Sequence, residues 1–202
     1  MIAPAFVDVG VAEETIDLTK LVISGEFVSD DVVIQTLTAA GLADKTYSYN
    51  KPRKGDWRWL DDDNNTIEEG QVLFPAGTGL WIAGVDNCTI TTAGQVSTND
   101  RVVPLVDGAV ACGNSTAVPL DLLSIIPSGE YVSDDIVIQT LTAAGLADKT
   151  YSFNKPRKGD WRWLDDDNNT IEEGDVVFPA GAGLWVAGVE GAFLTIPGPT
   201  LK

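Results

Sequence analysis

From Val32 to Val85 the hydrophobic positions come in short bursts, alternating with polar ones at a spacing of two. No stretch keeps the three-to-four spacing of a helix over three turns. VVIQTLTA, from Val32 to Ala39, is β-branched and apolar and predicts a strand. AGLADKT, from Ala40 to Thr46, predicts a turn. TYSYN alternates aromatic with small polar residues, as a half-buried strand does. NKPRKGD carries Pro and Gly and predicts a loop, WRWL resumes the alternation, and DDDNN turns again. QVLF, PAGTG and LWIAGV then predict strand, turn and strand. Tyr47 and Tyr49 fall on one face of their strand and Trp57 and Trp59 on one face of the next, which predicts a hairpin with stacked rings. Arg58, Ser48 and Thr46 belong to the opposite face. Trp81 and Trp185, flanked by apolar residues, are expected in the core.

The same pattern occurs twice. Residues 27–85 align without gaps to residues 131–189 at an offset of 104, and seven of these 59 positions differ. Most of the differences preserve size or polarity, as exchanges compatible with a core do. A looser match extends upstream, where TIDLTKLVISGE meets PLDLLSIIPSGE. A unit of about 100 residues is the ordinary size of one domain. The expected fold is therefore all-β: two tandem, nearly identical β-sandwich or small β-barrel domains, spanning 1–98 and 99–202 and joined near TTAGQVSTNDR (91–101).

Charge narrows the partners. The 202 residues carry 30 acids, 13 bases and no histidine, for a formal charge of −17. Such a field repels nucleic acid and anionic lipid, because phosphate binding depends on Lys and Arg. No apolar run reaches the ~18 residues that span a bilayer. MIAPAFVDVGVAEE has neither a basic n-region nor a sustained apolar stretch, so no signal peptide is read there. Ten of the 13 bases sit in two clusters, around Lys51 and around Lys155. Each repeat is thus dipolar, with a KPRK tip beside a DDD run. The tips, Lys51, Arg53, Lys54 and Asp56 in the first repeat and Lys155, Arg157, Lys158 and Asp160 in the second, are candidate contacts to other subunits or partners.

Other chemistry is sparse. Without histidine there is no Ser-His or Cys-His nucleophile system and no usual proton shuttle, and no phosphate-cradling glycine motif occurs. The chain is therefore read as a non-enzyme without cofactors. Asp61, Asp63 and Asn65 have the spacing of a calcium loop. Thr66 stands where its glycine belongs and Val72 where its bidentate glutamate belongs, so a turn is expected and no metal. Two exposed tryptophans could form a glycan platform, made of Tyr47, Tyr49, Trp57 and Trp59 and their counterparts Tyr151, Phe153, Trp161 and Trp163. A strand pair in a small domain equally places such rings in the core. Cys88 and Cys112 have no cysteine counterpart in the other repeat, and either a disulfide across the junction or two thiols fits their spacing.

GNSTAVPLDLLSI, followed by IQTLTAAG, TYSF, GDWRWLDD and FPAGAGLWV, resembles a β-rich tandem repeat of uncharacterised bacterial surface proteins and virion structural proteins. The likeness runs from Gly113 to about Val189, and the first repeat has VGVAEE in place of the GNST opening. It implies a structural or adhesive module without catalysis, and it carries over no functional residue. The expected function is assembly on the outside of a particle or fibre, as a virion component (decoration, spike or fibre subunit). The alternative is a bivalent carbohydrate-binding or adhesive module of a bacterial surface. The expected partners are further copies of the chain or other structural subunits, or surface glycan, at a virion or extracellular surface.

Overall fold

The computed structural model describes residues 5–8, 15–38, 40, 42–75, 78–85, 88–91, 99–114, 118–142 and 147–198. The chain is all-β. The first half contains β1 (Ala5–Asp8), β2 (Ile16–Asp17), β3 (Val22–Ser24), β4 (Val33–Leu37), β5 (Ala43–Asn50), β6 (Arg58–Leu60), β7 (Leu73–Phe74), β8 (Gly79–Ala83) and β9 (Thr89–Thr91). One antiparallel sheet has the order β1-β8-β4-β5-β6, and β2–β7 and β3–β9 are separate two-stranded ribbons.

The second half adds β10 (Arg101–Pro104), then repeats the plan with β11 (Gly108–Gly113), β12 (Leu120–Asp121), β13 (Ile126–Gly129), β14 (Val137–Leu141), β15 (Ala147–Asn154), β16 (Arg162–Leu164), β17 (Val177–Phe178), β18 (Gly183–Gly188) and β19 (Ala192–Ile196). Its large sheet has the order β11-β18-β14-β15-β16. The counterpart of the β3–β9 ribbon here has three strands, β10-β19-β13.

Strand alternation decides what is inside. Ile34 on β4, Tyr47 on β5, Trp59 on β6 and Leu80 on β8 all face one side of the large sheet and are buried. Ile16, Leu18, Leu21 and Phe74, from the ribbons and the 3-10 turn Leu18–Lys20, close over them. A second cluster, between Val103 and Ile196, repeats this arrangement around Ile138, Tyr151, Trp163 and Leu184. Each fully buried Leu or Ile contributes about 1.5–3 kcal/mol relative to exposure. The two clusters have no residue in common.

Short polar staples fix the loops over each core. Asp17 accepts from the Thr19 amide at 2.9 Å and from the Gly70 amide at 2.6 Å, and Asp121 accepts likewise from Leu123 and Gly174. Asn114, fully buried, donates its side-chain amide to the carbonyls of Val118, Phe178 and Pro179. This asparagine belongs to the GNST stretch, so what is distinctive in that opening is a loop staple.

Several expectations need correction. β5 begins at Ala43, so the turn before it is shorter than AGLADKT. Trp81 and Trp185 are not core residues. Leu80 and Leu184 take the inward positions, the alternation turns both tryptophans to the other face of the sheet, and both are half-buried there. They lie on the strands where the halves meet, since β1 and β8 approach β11 and β18. The expected linker lies mostly outside the described residues; Thr91 closes β9 and Arg101 opens β10. Cys88 and Cys112 form no disulfide. Each is packed with a different cluster, Cys88 at the fringe of the first and Cys112 buried in the second.

Separate cores predict separable unfolding. Ile34→Ala should cost about 2–5 kcal/mol, because the site is fully buried. In scanning calorimetry this variant should show an early transition for the first half with the second half's transition in place, and Ile138→Ala should do the reverse. One undivided transition that shifts as a whole would mean that the halves unfold as a unit.

Candidate functional site

The hairpin predicted around the KPRK tip is present. β5 and β6 pair with Ser48 opposite Leu60, Tyr49 opposite Trp59 and Asn50 opposite Arg58. The loop between them is anchored on its polar side. The Lys51 amide donates to the Ser29 hydroxyl at 3.0 Å, Asn50 Nδ2 donates to Asp30 at 2.7 Å, and Arg58 donates to the Thr66 hydroxyl at 3.1 Å. The second repeat reproduces these contacts at Lys155, Asn154 and Arg162. Gly55 and Gly159 adopt a φ of 134°, which only glycine takes without strain, so the loop turns back into β6 there.

What the loop presents is charge. Lys51, Arg53, Lys54 and Asp56 are exposed, as are Lys155, Arg157, Lys158 and Asp160. Among the described residues none of these side chains makes an ion pair within the chain. A shallow hollow of about 380 Å³ lies at the foot of the first loop, lined by Asp30, Asn50, Lys51, Arg58, Asn64 and Thr66.

The acidic run has two roles. Asp61 is a turn residue: it accepts from the Asn65 amide at 2.8 Å, the Asn65 side chain at 3.1 Å and the Asp63 amide at 3.0 Å. These donors, led by the Asn65 amide, hold its carboxyl below the ordinary 3.8, and Asp165 is held in the same way by Asn169 and Asp167. Asp62 accepts from the Thr46 amide and so ties the turn to β5. In the second half Asp148, Asp165, Asp166, Asp167 and Asp175 line an open hollow of about 610 Å³ beside Tyr151. Burial, followed by the nearby charges of Asp166, Asp148 and Asp165, pushes the Tyr151 phenol up.

The aromatic residues meet, but not as an open platform. Tyr47, Trp59, Tyr151 and Trp163 are buried at 5% exposure or less. Tyr47 sets its ring edge-on to Phe74 in the core. Trp57 stacks on Tyr49 with centroids 5.2 Å apart and planes 13° apart, while Phe27 approaches Trp57 to 4.8 Å and Trp59 approaches Tyr49 to 5.0 Å. The second repeat has the same set, with Trp161 stacked on Phe153 and Tyr131 beside it. Of the eight candidate platform residues, Tyr49, Trp57, Phe153 and Trp161 remain half-buried, stacked in pairs. Phe27 and Tyr131, which complete the sets, were not among the predicted residues, because they lie twenty or more positions upstream of the rings they touch.

Among the described residues no helix is long and apolar enough to cross a membrane. No family model matches the chain, and no curated protein or solved structure is significantly similar to it.

The turn chemistry predicts a pH response. Asp61 and Asp165 have folded values below their unfolded ones, so their contribution is complete above the unfolded value and is lost as pH falls through the folded one. The double variant Asp61→Ala, Asp165→Ala should melt below the parent at pH 7, with the gap closing as pH falls below 3.8. A gap that does not change with pH would assign the loss to something other than the ionised carboxylates.

Proposed function

We propose that the chain is a non-enzymatic structural protein that assembles on the outside of a particle or fibre, as a decoration, spike or fibre subunit of a virion. The contact in this reading is a basic loop of one subunit in an acidic hollow of another. The observation that carries it is the exposure of two identical KPRK loops whose charges make no ion pair among the described residues of their own chain. The acidic hollow of the second half supplies the complementary surface.

Magnitudes favour a repeated contact over a single one. An exposed ion pair contributes about 0–1 kcal/mol, and the net charge of −17 opposes association. Several pairs acting together are needed, and two copies of the loop provide them by multivalency. The outer-surface setting in this reading rests on the resemblance of the repeat to those of bacterial surface proteins and virion structural proteins. The alternative of a glycan-binding module is weakened by the burial of four of the eight rings it needs.

Charge reversal tests this. With Lys51, Arg53, Lys54, Lys155, Arg157 and Lys158 all changed to Glu, sedimentation velocity should show the assembled species falling to monomer, with an unchanged circular dichroism spectrum. Raised salt should loosen the parent assembly in the same way. A parent that is monomeric at low salt, or an assembly indifferent to the reversal, would remove the loops from the mechanism.

A further inference from the structure

The hollow at the foot of the KPRK loop lies on the outward face of the large sheet. Trp59 points into the core, so its neighbours Arg58 and Leu60 on β6 face outward, as Asn50 does on β5 opposite Arg58. Thr66 joins them through its bridge to Leu60. Exposed Lys51, Asp30 and Asn64, with Pro52, complete the lining. The volume of about 380 Å³ falls within the range of small-molecule sites. Among the described residues the non-glycine positions with positive φ are Asp30 (68°), Asn64 (62°) and their counterparts Asp134 and Asn168, so both left-handed turns of the repeat stand at this hollow.

Arg58 is the anchor. Its guanidinium is half-buried, donates from Nη1 to the Thr66 hydroxyl at 3.1 Å, and places Nη2 beside Gly55, 3.5 Å from where a Cβ on that glycine would stand. Among the described residues it forms no ion pair, and neither does Lys51 in the same hollow. A guanidinium partly withdrawn from water and without a counter-ion favours a carboxylate, which it meets with paired N–H donors. The other groups favour hydroxyls. Asp30 accepts from Asn50 through Oδ1 alone, and the Asn64 side chain makes no hydrogen bond among the described residues. Leu60 and Pro52, both half-buried, offer apolar surface to the C–H face of a sugar ring.

We propose that this hollow binds a sugar acid, a pyranose carrying one carboxylate. Arg58 and Lys51 hold the carboxylate, Asp30 and Asn64 take hydroxyls, and Leu60 and Pro52 lie against the ring. Asp30 repels a second anionic group, which selects a singly charged sugar over a polyanion. The second repeat has the same residues at the equivalent positions, from Asp134 to Thr170, and its Asn154–Asp134 and Arg162–Thr170 contacts recur. The chain therefore carries two such sites, which strengthens the hold on a polymer of acidic sugars. None of the eight rings of the aromatic platform lines this hollow. Nor does the site rest on assembly, so a chain that stays monomeric would still bind the sugar.

The test titrates the whole isotope-labelled chain with methyl glucuronide and follows the amide resonances by NMR. Saturable shifts are expected at Asn50, Arg58, Asn64 and Thr66 and at their counterparts, so each site is read from its own signals. Methyl glucoside, which lacks the carboxylate, and acetate, which lacks the ring, should each bind about tenfold or more weakly. Arg58→Gln should abolish the shifts of the first set and leave those of the second. Asn64→Gly keeps the turn, because glycine takes a φ of 62° freely, and should weaken the first site with the parent melting temperature retained. Absence of saturable shifts, or glucuronide shifts unchanged in both variants, would overturn the proposal. Acetate or the acidic peptide DDDNNT of residues 61–66 binding here as tightly as glucuronide would also overturn it, and would give the hollow to a side-chain carboxylate of another copy.

Discussion

The register of β4 against β5 and β8 is the constraint on which the rest depends. With Ile34 opposite Tyr47 and Ile82, and Tyr49 opposite Trp59, one face of the sheet collects these residues and Leu80. The other collects Gln35, Thr46, Ser48 and Asn50, which hydrogen-bond among themselves. Because side chains alternate, a slip of one residue would turn Ile34, Tyr47 and Leu80 to water together. The KPRK loop, the DDD turn and the aromatic stack are all consequences of this register, and they recur because the register recurs.

Charge and burial are kept apart in this design. The rings pack inward and against one another, the acids are spent on turns or left on the rim of a hollow, and the bases are carried to loop tips. Asp61 illustrates the economy of the short turns, since one carboxylate accepts three N–H donors and thereby fixes the reversal after β6. The outer surface is then free to differ in charge from place to place without cost to the core.

Much of this was legible in the sequence, and what was not has identifiable causes. The TYSYN–WRWL hairpin, its loop and the acidic turn could be read from period-two alternation and turn residues, because they are local. The sheet order could not, since β8 enters between β1 and β4 from more than forty residues away. Trp81 was misplaced because its apolar neighbours were weighed and its parity was not: Leu80 and Trp81 cannot face the same side of one strand. The burial of Tyr47, Trp59, Tyr151 and Trp163 was illegible for a related reason, as alternation puts rings on a shared face without saying whether that face is open.

The central claim is that one repeat plan is built twice and that, among the described residues, an added strand closes it only in the second half. Hydrogen–deuterium exchange of the whole chain, read segment by segment, tests it most directly. Among the described residues β19 is bonded along both edges and β9 along one, so amides of Thr89–Thr91 should exchange markedly faster than those of Phe193–Thr195. Equal protection of the two segments in the monomer would contradict the account, because β9 would then already have a strand on its second edge.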